Sequence, residues 1–236
     1  MLCRVVAAAT HSLASNLGRV RARIAAAAAR SGREARGVTL VGVTKSVGPE
    51  EARALFALGL EDLGENRVQE LERKAKALGP GPRWHLVGPL QRNKARPASE
   101  IACLIHSADS LRLLETLDRI AAERGEPVRV LLEVNVSGEA TKHGFPAAEC
   151  LSALREARPM QGIRIEGLMT MPPPAQDPET VRPHFRRLRE LRDAAIAEAL
   201  LPPKAALSMG MTQDFEVAIE EGATIVRIGT ALFTPG

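Results

Sequence analysis

The stretch Val38-Thr-Leu-Val-Gly-Val-Thr-Lys45 is an apolar run rich in β-branched residues, and it ends on a lysine. A run of this length and composition reads as a buried strand. An unpaired ammonium is costly to bury, so a lysine closing such a run either snorkels to solvent or faces a cavity or a partner. Only six of the 32 basic residues are lysines, and Lys45 is the one that closes an apolar strand. A lysine at the edge of a cavity serves as a nucleophilic amine, suited to an imine with an aldehyde.

Outward from this strand the same punctuation repeats. Before it, Leu13, Leu17, Val20 and Ile24 recur at helical spacing and predict an amphipathic helix over 11–30. After it, Pro49 opens a helix that Gly59 closes. Further strands are expected at Glu61–Gly64, Trp84–Gly88, Cys103–Ser107, Val128–Val136, Ile163–Thr170, Ala206–Ser208 and Thr224–Ile228. Between them, Asn66 caps a helix with Gln69 at the capping-box position, and Ser110 caps another. Pro146 opens a third, a long helix runs from about Glu179 to Leu200, and a helix bearing Phe215 and Ile219 stops at Gly222.

Eight strands alternating with helices argue a parallel sheet with βα crossovers. Eight such units in 236 residues argue an α/β fold of one domain over 1–236, a closed (β/α)8 TIM barrel. A last crossover helix is not expected after the eighth strand, and the helix at 11–30 is expected to complete the outer ring.

Hydrophobic residues make up 45% of the chain, enough for a sizeable core, and the net charge is +4. No basic block appears and aromatic content is 3%, so a nucleic-acid surface is not expected. Cys3, Cys103 and Cys150 are odd in number and far apart, which excludes a disulfide framework and a zinc site and favours a reduced, cytoplasmic setting. No signal peptide or membrane span is expected.

Active sites of such barrels lie at the C-terminal ends of the strands. Those ends carry Lys45, Asn66, His85 to Gly88, Ser107, Asn135, Met169 with Thr170, Ser208 to Gly210, and Arg227 to Thr230. Ser208-Met-Gly-Met-Thr212 and Gly229-Thr230 are glycine-containing turns with hydroxyl donors, at the two loops where barrels often bind phosphate. An amine on the first strand and a phosphate cradle on the last two match a phosphorylated aldehyde, for which pyridoxal 5′-phosphate is the natural candidate. No dinucleotide fingerprint, Walker sequence or HExxH motif is present. His85, His106, His143 and His184 show no metal-ligand spacing and read as structural or exposed, while Trp84, Met169 and Cys103 read as packing residues.

Seven segments together carry a family resemblance: GVTK at 42–45, GENRVQE at 64–70, WHLVGPLQRNK at 84–94, LLEVNVSGEATKHG at 131–144, EGLMTMP at 166–172, LSMGMTQDFEVAI at 207–219 and VRIGTALF at 226–233. In these the chain resembles the pyridoxal phosphate homeostasis protein family. The resemblance implies a monomeric fold-type III barrel like the alanine racemase N-terminal domain, with the cofactor held as a Schiff base on Lys45. It implies phosphate contacts from Ser208, Gly210, Arg227, Gly229 and Thr230, and a pocket lined by Asn66, His85, Asn135 and Met169. It also implies a cytoplasmic carrier that buffers the cofactor or delivers it to PLP-dependent apo-enzymes, not a catalyst with a firm turnover. The family commonly has a second lysine beside the first, where this chain has Ser46-Val47-Gly48, and a tyrosine where this chain has Arg67.

Two alternatives remain. A racemase of this fold pairs the cofactor lysine with a tyrosine base, and this chain contains no tyrosine, so only weak racemase-like activity is compatible. A Schiff-base aldolase acting on a sugar phosphate would use the same lysine and phosphate site without a cofactor.

Overall fold

The apolar runs become short strands whose side chains are buried on both faces, as a parallel sheet under helices requires. In the computed structural model, which describes residues 2–139 and 141–234, the strands are β1 (Thr39–Val43), β2 (Asp62–Glu65), β3 (Arg83–Leu86), β4 (Leu104–Ala108), β5 (Val128–Asn135), β6 (Phe145–Pro146), β7 (Ile163–Met169), β8 (Ala206–Ser208) and β9 (Ile225–Ile228). All pair in parallel. The β4–β5 pairing closes the ring β1-β2-β3-β4-β5-β7-β8-β9, leaving β6 as a two-residue spur on β5. The expected (β/α)8 barrel is therefore the fold.

The crossover helices are α2 (Pro49–Ala57), α3 (Val68–Leu78), α4 (Ala95–Ile101), α5 (Leu111–Arg124), α6 (Cys150–Ala157), α7 (Arg182–Ala197) and α8 (Phe215–Glu220), followed by the short α9 (Thr230–Phe233). The N-terminal helix α1 (Leu2–Arg30) packs against α8, α9 and α2, and so occupies the gap in the outer ring. Its Leu17, Val20 and Ile24 are buried there. It starts earlier than its apolar spacing indicates.

Alternation along each strand separates two cores. Leu40 and Val226 point outward to the helices, whereas Val41, Val43, Val87, Leu104, Leu131, Met169 and Ile225 meet inside the barrel. Gly167, in a bulge of β7 with φ 156°, is demanded by contact: a Cβ there would lie 2.1 Å from the Ala206 carbonyl oxygen.

Three local expectations are corrected. Asn66 does not cap α3; Arg67 occupies that position without a side-chain bond, because Asn66 belongs to the strand-end turn two residues before the helix. Pro146 does not open a helix; it pairs with Asn135 in β6, and α6 begins at Cys150 after a 3-10 turn over Ala147–Glu149. Ser110 precedes α5 as expected, but its hydroxyl bonds Asp109 instead of a helix N–H.

Candidate functional site

The C-terminal ends of the strands surround a cavity of about 290 Å³. β1 delivers Val43 to its wall and Lys45, two residues on, to its mouth, where the side chain is exposed. Asn66 follows β2, Val87 follows β3, and Met171 with Pro174 follows β7. Met211 to Asp214 follow β8, while Arg227, Gly229 and Thr230 come from β9 and the turn after it.

The loop after β8 is held in shape from within. Asp214 Oδ1 accepts the Met211 N–H at 2.6 Å, and burial raises the Asp214 carboxyl pKa against the pull of that bond and of Arg227. Gly210 has φ 94°, and a Cβ would come within 2.6 Å of Ala218 and 2.8 Å of the Phe215 backbone, so only glycine lets the loop lie on α8. Thr212 Oγ1 accepts the Ala231 N–H at 3.3 Å, which leaves its own hydrogen to donate. Arg227 is buried, and burial pulls its pKa down to about 10 against the attraction of Glu133 and Asp214.

Five residues expected at the site line this cavity together: Lys45, Asn66, Arg227, Gly229 and Thr230. The other five stand outside the lining. Ser208 lies fully buried behind Arg227, whose guanidinium it accepts. Gly210 is buried against α8, and Met169 belongs to the core inside the barrel. His85 sits deeper still, bonded to Asp62 and His106. Asn135 turns its amide to its own loop, donating to the Glu139 carbonyl and accepting from Ser137 and Gly138.

The residues that sequence reasoning passed over are mainly loop positions. Thr212 carried a signal, as a second hydroxyl in the glycine-containing turn after β8. Met171 and Pro174 carried a weaker one, the stiff proline run that follows β7.

Chemically, the cavity brings together an exposed primary amine and hydroxyl, backbone and guanidinium donors. Val43, Val87, Met171 and Pro174 supply apolar wall. That donor set fits a flat phosphorylated aldehyde: amine for the carbonyl, apolar wall for the ring, donors for the phosphate.

The alanine racemase N-terminal domain family matches residues 15–235. A pyridoxal phosphate homeostasis protein of Aquifex aeolicus is 45% identical over 220 residues, covering 92% of this chain and 95% of that protein. The Escherichia coli K12 protein of the same name is 36% identical, covering 94% and 96%. Among solved structures, PipY of Synechococcus elongatus with PLP bound superposes with a TM-score of 0.82 at 34% identity, covering 94% of this chain and all of that one (100%). Alanine racemase of Clostridium difficile shares the fold at a TM-score of 0.75 and 18% identity, over 58% of its own length. The barrel, the family match and these full-length relatives together show that the chain belongs to the pyridoxal phosphate homeostasis protein family.

Proposed function

We propose that the chain binds pyridoxal 5′-phosphate in this cavity, as a Schiff base on Lys45, and buffers or delivers it within the cytoplasm. The observation that carries the reading is that the Lys45 side chain shares one cavity with Thr212, Gly229 and Thr230. When bound, the cofactor supplies an electrophilic aldehyde. Lys45 holds it reversibly, Asn66 bounds the ring, and Arg227 with the two loops after β8 and β9 takes the phosphate. The PLP-bound neighbour of full coverage supports the ligand.

An exposed lysine at an open mouth suits exchange with free amines and with apo-enzymes. With no tyrosine in the chain, neither this protein nor a second copy of it supplies the tyrosine base of a racemase. A monomeric carrier needs only the reversible bond and the cradle.

The test is a visible spectrum with added PLP, before and after borohydride, in wild type and Lys45→Ala. An imine band that borohydride removes, with the label on Lys45, is the expected result. No band in the wild type, together with borohydride trapping of a sugar phosphate, would transfer the site to the aldolase reading.

A further inference from the structure

Below the cavity a line of hydrogen bonds crosses the barrel interior. Arg227, on the cavity wall, donates through Nη2 to the Thr170 carbonyl at 2.9 Å and through Nη1 to Ser208 Oγ. Ser208 Oγ is 2.8 Å from His106 Nδ1, and His106 Nε2 is 2.9 Å from His85 Nδ1. His85 Nε2 is 2.9 Å from Asp62 Oδ1. Arg83 grips Asp62 at 2.8 and 2.6 Å, and both residues reach a second cavity at the N-terminal face.

The two ends of this line fix its outer bonds, and the charge on His85 sets the direction of the bonds between them. Ionised Asp62 only accepts, so His85 Nε2 donates; Arg227 only donates, so Ser208 Oγ accepts. Burial works against a charged His85, but Asp62 and the Cys103 side chain outweigh it and hold its pKa up at about 9. His85 therefore carries both protons at neutral pH, and its Nδ1–H donates to His106 Nε2. Burial first, then the nearby His85 and Arg227 cations, push the His106 pKa well below its ordinary value. His106 is neutral, its single proton sits on Nδ1, and that proton goes to Ser208.

We propose that His106 is a positioning residue for the pocket: it carries the donor order set by the Asp62–His85 pair to Ser208, and so fixes the Arg227 guanidinium at the cavity wall. The proposal rests on the reading above for the identity of the ligand, but not for the order of the hydrogen bonds. The titratable groups concerned are Asp62, Arg83 and Cys103 around His85, and Glu133 and Asp214 around Arg227. Once His85 loses its Nδ1 proton, His106 is free to move its own to Nε2. Ser208 then turns its hydroxyl toward His106 Nδ1, and the anchor of Arg227 is rearranged. Ligand affinity is expected to fall at alkaline pH through a group on the far side of the barrel.

The first experiment needs no ligand. Nitrogen-15 NMR of the imidazoles at pH 7.5 is expected to show His85 protonated on both nitrogens and His106 neutral with its proton on Nδ1. A His106 proton on Nε2, or a doubly protonated His106, would overturn the proposal. The second experiment titrates PLP into wild type, His106→Phe and His106→Asn. Loss of the buried donor in His106→Phe is expected to weaken binding about ten-fold, with His106→Asn, which keeps a donor for Ser208, close to wild type. A folded His106→Phe that binds as wild type does would reduce His106 to a packing residue. Should His106→Phe not fold, His85→Gln takes its place: it is expected to remove the alkaline decline in affinity, and an unchanged pH profile would sink the idea. If the wild type takes up no PLP, the ligand reading fails, while the NMR result still decides the proton order.

Discussion

Lys74 is fully buried, and its Nζ donates both to the Glu65 carboxylate and, at 2.6 Å, to the Thr44 carbonyl oxygen. Thr44 Oγ1 donates to the same Glu65 Oε1 at 2.6 Å. Thr44 immediately precedes Lys45, and Glu65 immediately precedes Asn66. One buried ion pair from α3 thus ties down the ends of β1 and β2 from which two cavity residues project. Lys74→Met alone would strand the Glu65 charge and is expected to cost about 3–5 kcal/mol in denaturant unfolding. Lys74→Met with Glu65→Leu is expected to recover most of that stability, since apolar replacement of a buried pair is often neutral. The double variant should still label more slowly at Lys45 with PLP and borohydride. Wild-type labelling in the stable double variant would show that the pair only holds the fold.

Gly88 approaches the other side of the same corner. A Cβ at residue 88 would stand 2.4 Å from the Asn66 carbonyl oxygen and 2.8 Å from its Cα. Both are backbone atoms, so no side-chain rotation relieves the clash. Gly88→Ala is expected to displace Asn66 and weaken PLP binding in a spectral titration. Gly18→Ala, in the exposed face of α1 with nothing within 4 Å, is the contrasting case and is expected to raise stability by about 0.5–1 kcal/mol. Equal affinities in Gly88→Ala and wild type would remove Asn66 from the binding account.

The buried histidines also shape stability against pH. His85 has a folded pKa of about 9, above its ordinary 6.5, so its contribution is full below 6.5 and is lost as pH rises through 9. His106 is depressed below 6.5, so the unfolded chain takes up its proton first, and stability falls as pH drops below 6.5. Asp62, held at about 2 by Arg83 and His85 against burial, adds a further loss as pH falls from 3.8 through 2. Stability is therefore expected to peak near pH 6.5 in chemical denaturation. His85→Gln should flatten the alkaline limb; an alkaline limb as steep as that of wild type would mean that His85 is not charged in the fold.

Strand positions were legible because each β-branched run is bounded by a turn, and the eight barrel strands lie within two residues of their expected limits. Lys45, Gly229 and Thr230 were legible for a related reason: barrel chemistry gathers at strand ends. The hydrogen-bonded line from Asp62 to Arg227 was not. His85 and His106 stand 21 residues apart with no motif between them, and they meet because adjacent parallel strands bring both side chains into the barrel interior. Ser208 and Arg227 were expected to contact ligand directly, yet only Arg227 reaches the cavity. Short polar residues at a strand end read alike whether they face ligand or support the residue that does.

The last contact of this kind spans almost the whole chain. Asn16, buried on α1, donates through Nδ2 to the Leu232 carbonyl at 2.9 Å and to the Thr234 carbonyl at 3.0 Å. Leu232 lies in α9, the short helix that starts at Thr230, and Thr234 is the residue that follows it. The helix that completes the ring therefore also anchors the turn carrying Gly229 and Thr230. Asn16→Leu removes both donors and leaves a buried carbonyl unpaired, a loss of about 1–3 kcal/mol. Because the freed segment ends at the proposed phosphate loop, affinity for PLP should fall more than affinity for pyridoxal, which lacks the phosphate. A lower melting temperature with the PLP-to-pyridoxal preference unchanged would confine Asn16 to holding α1 in the ring.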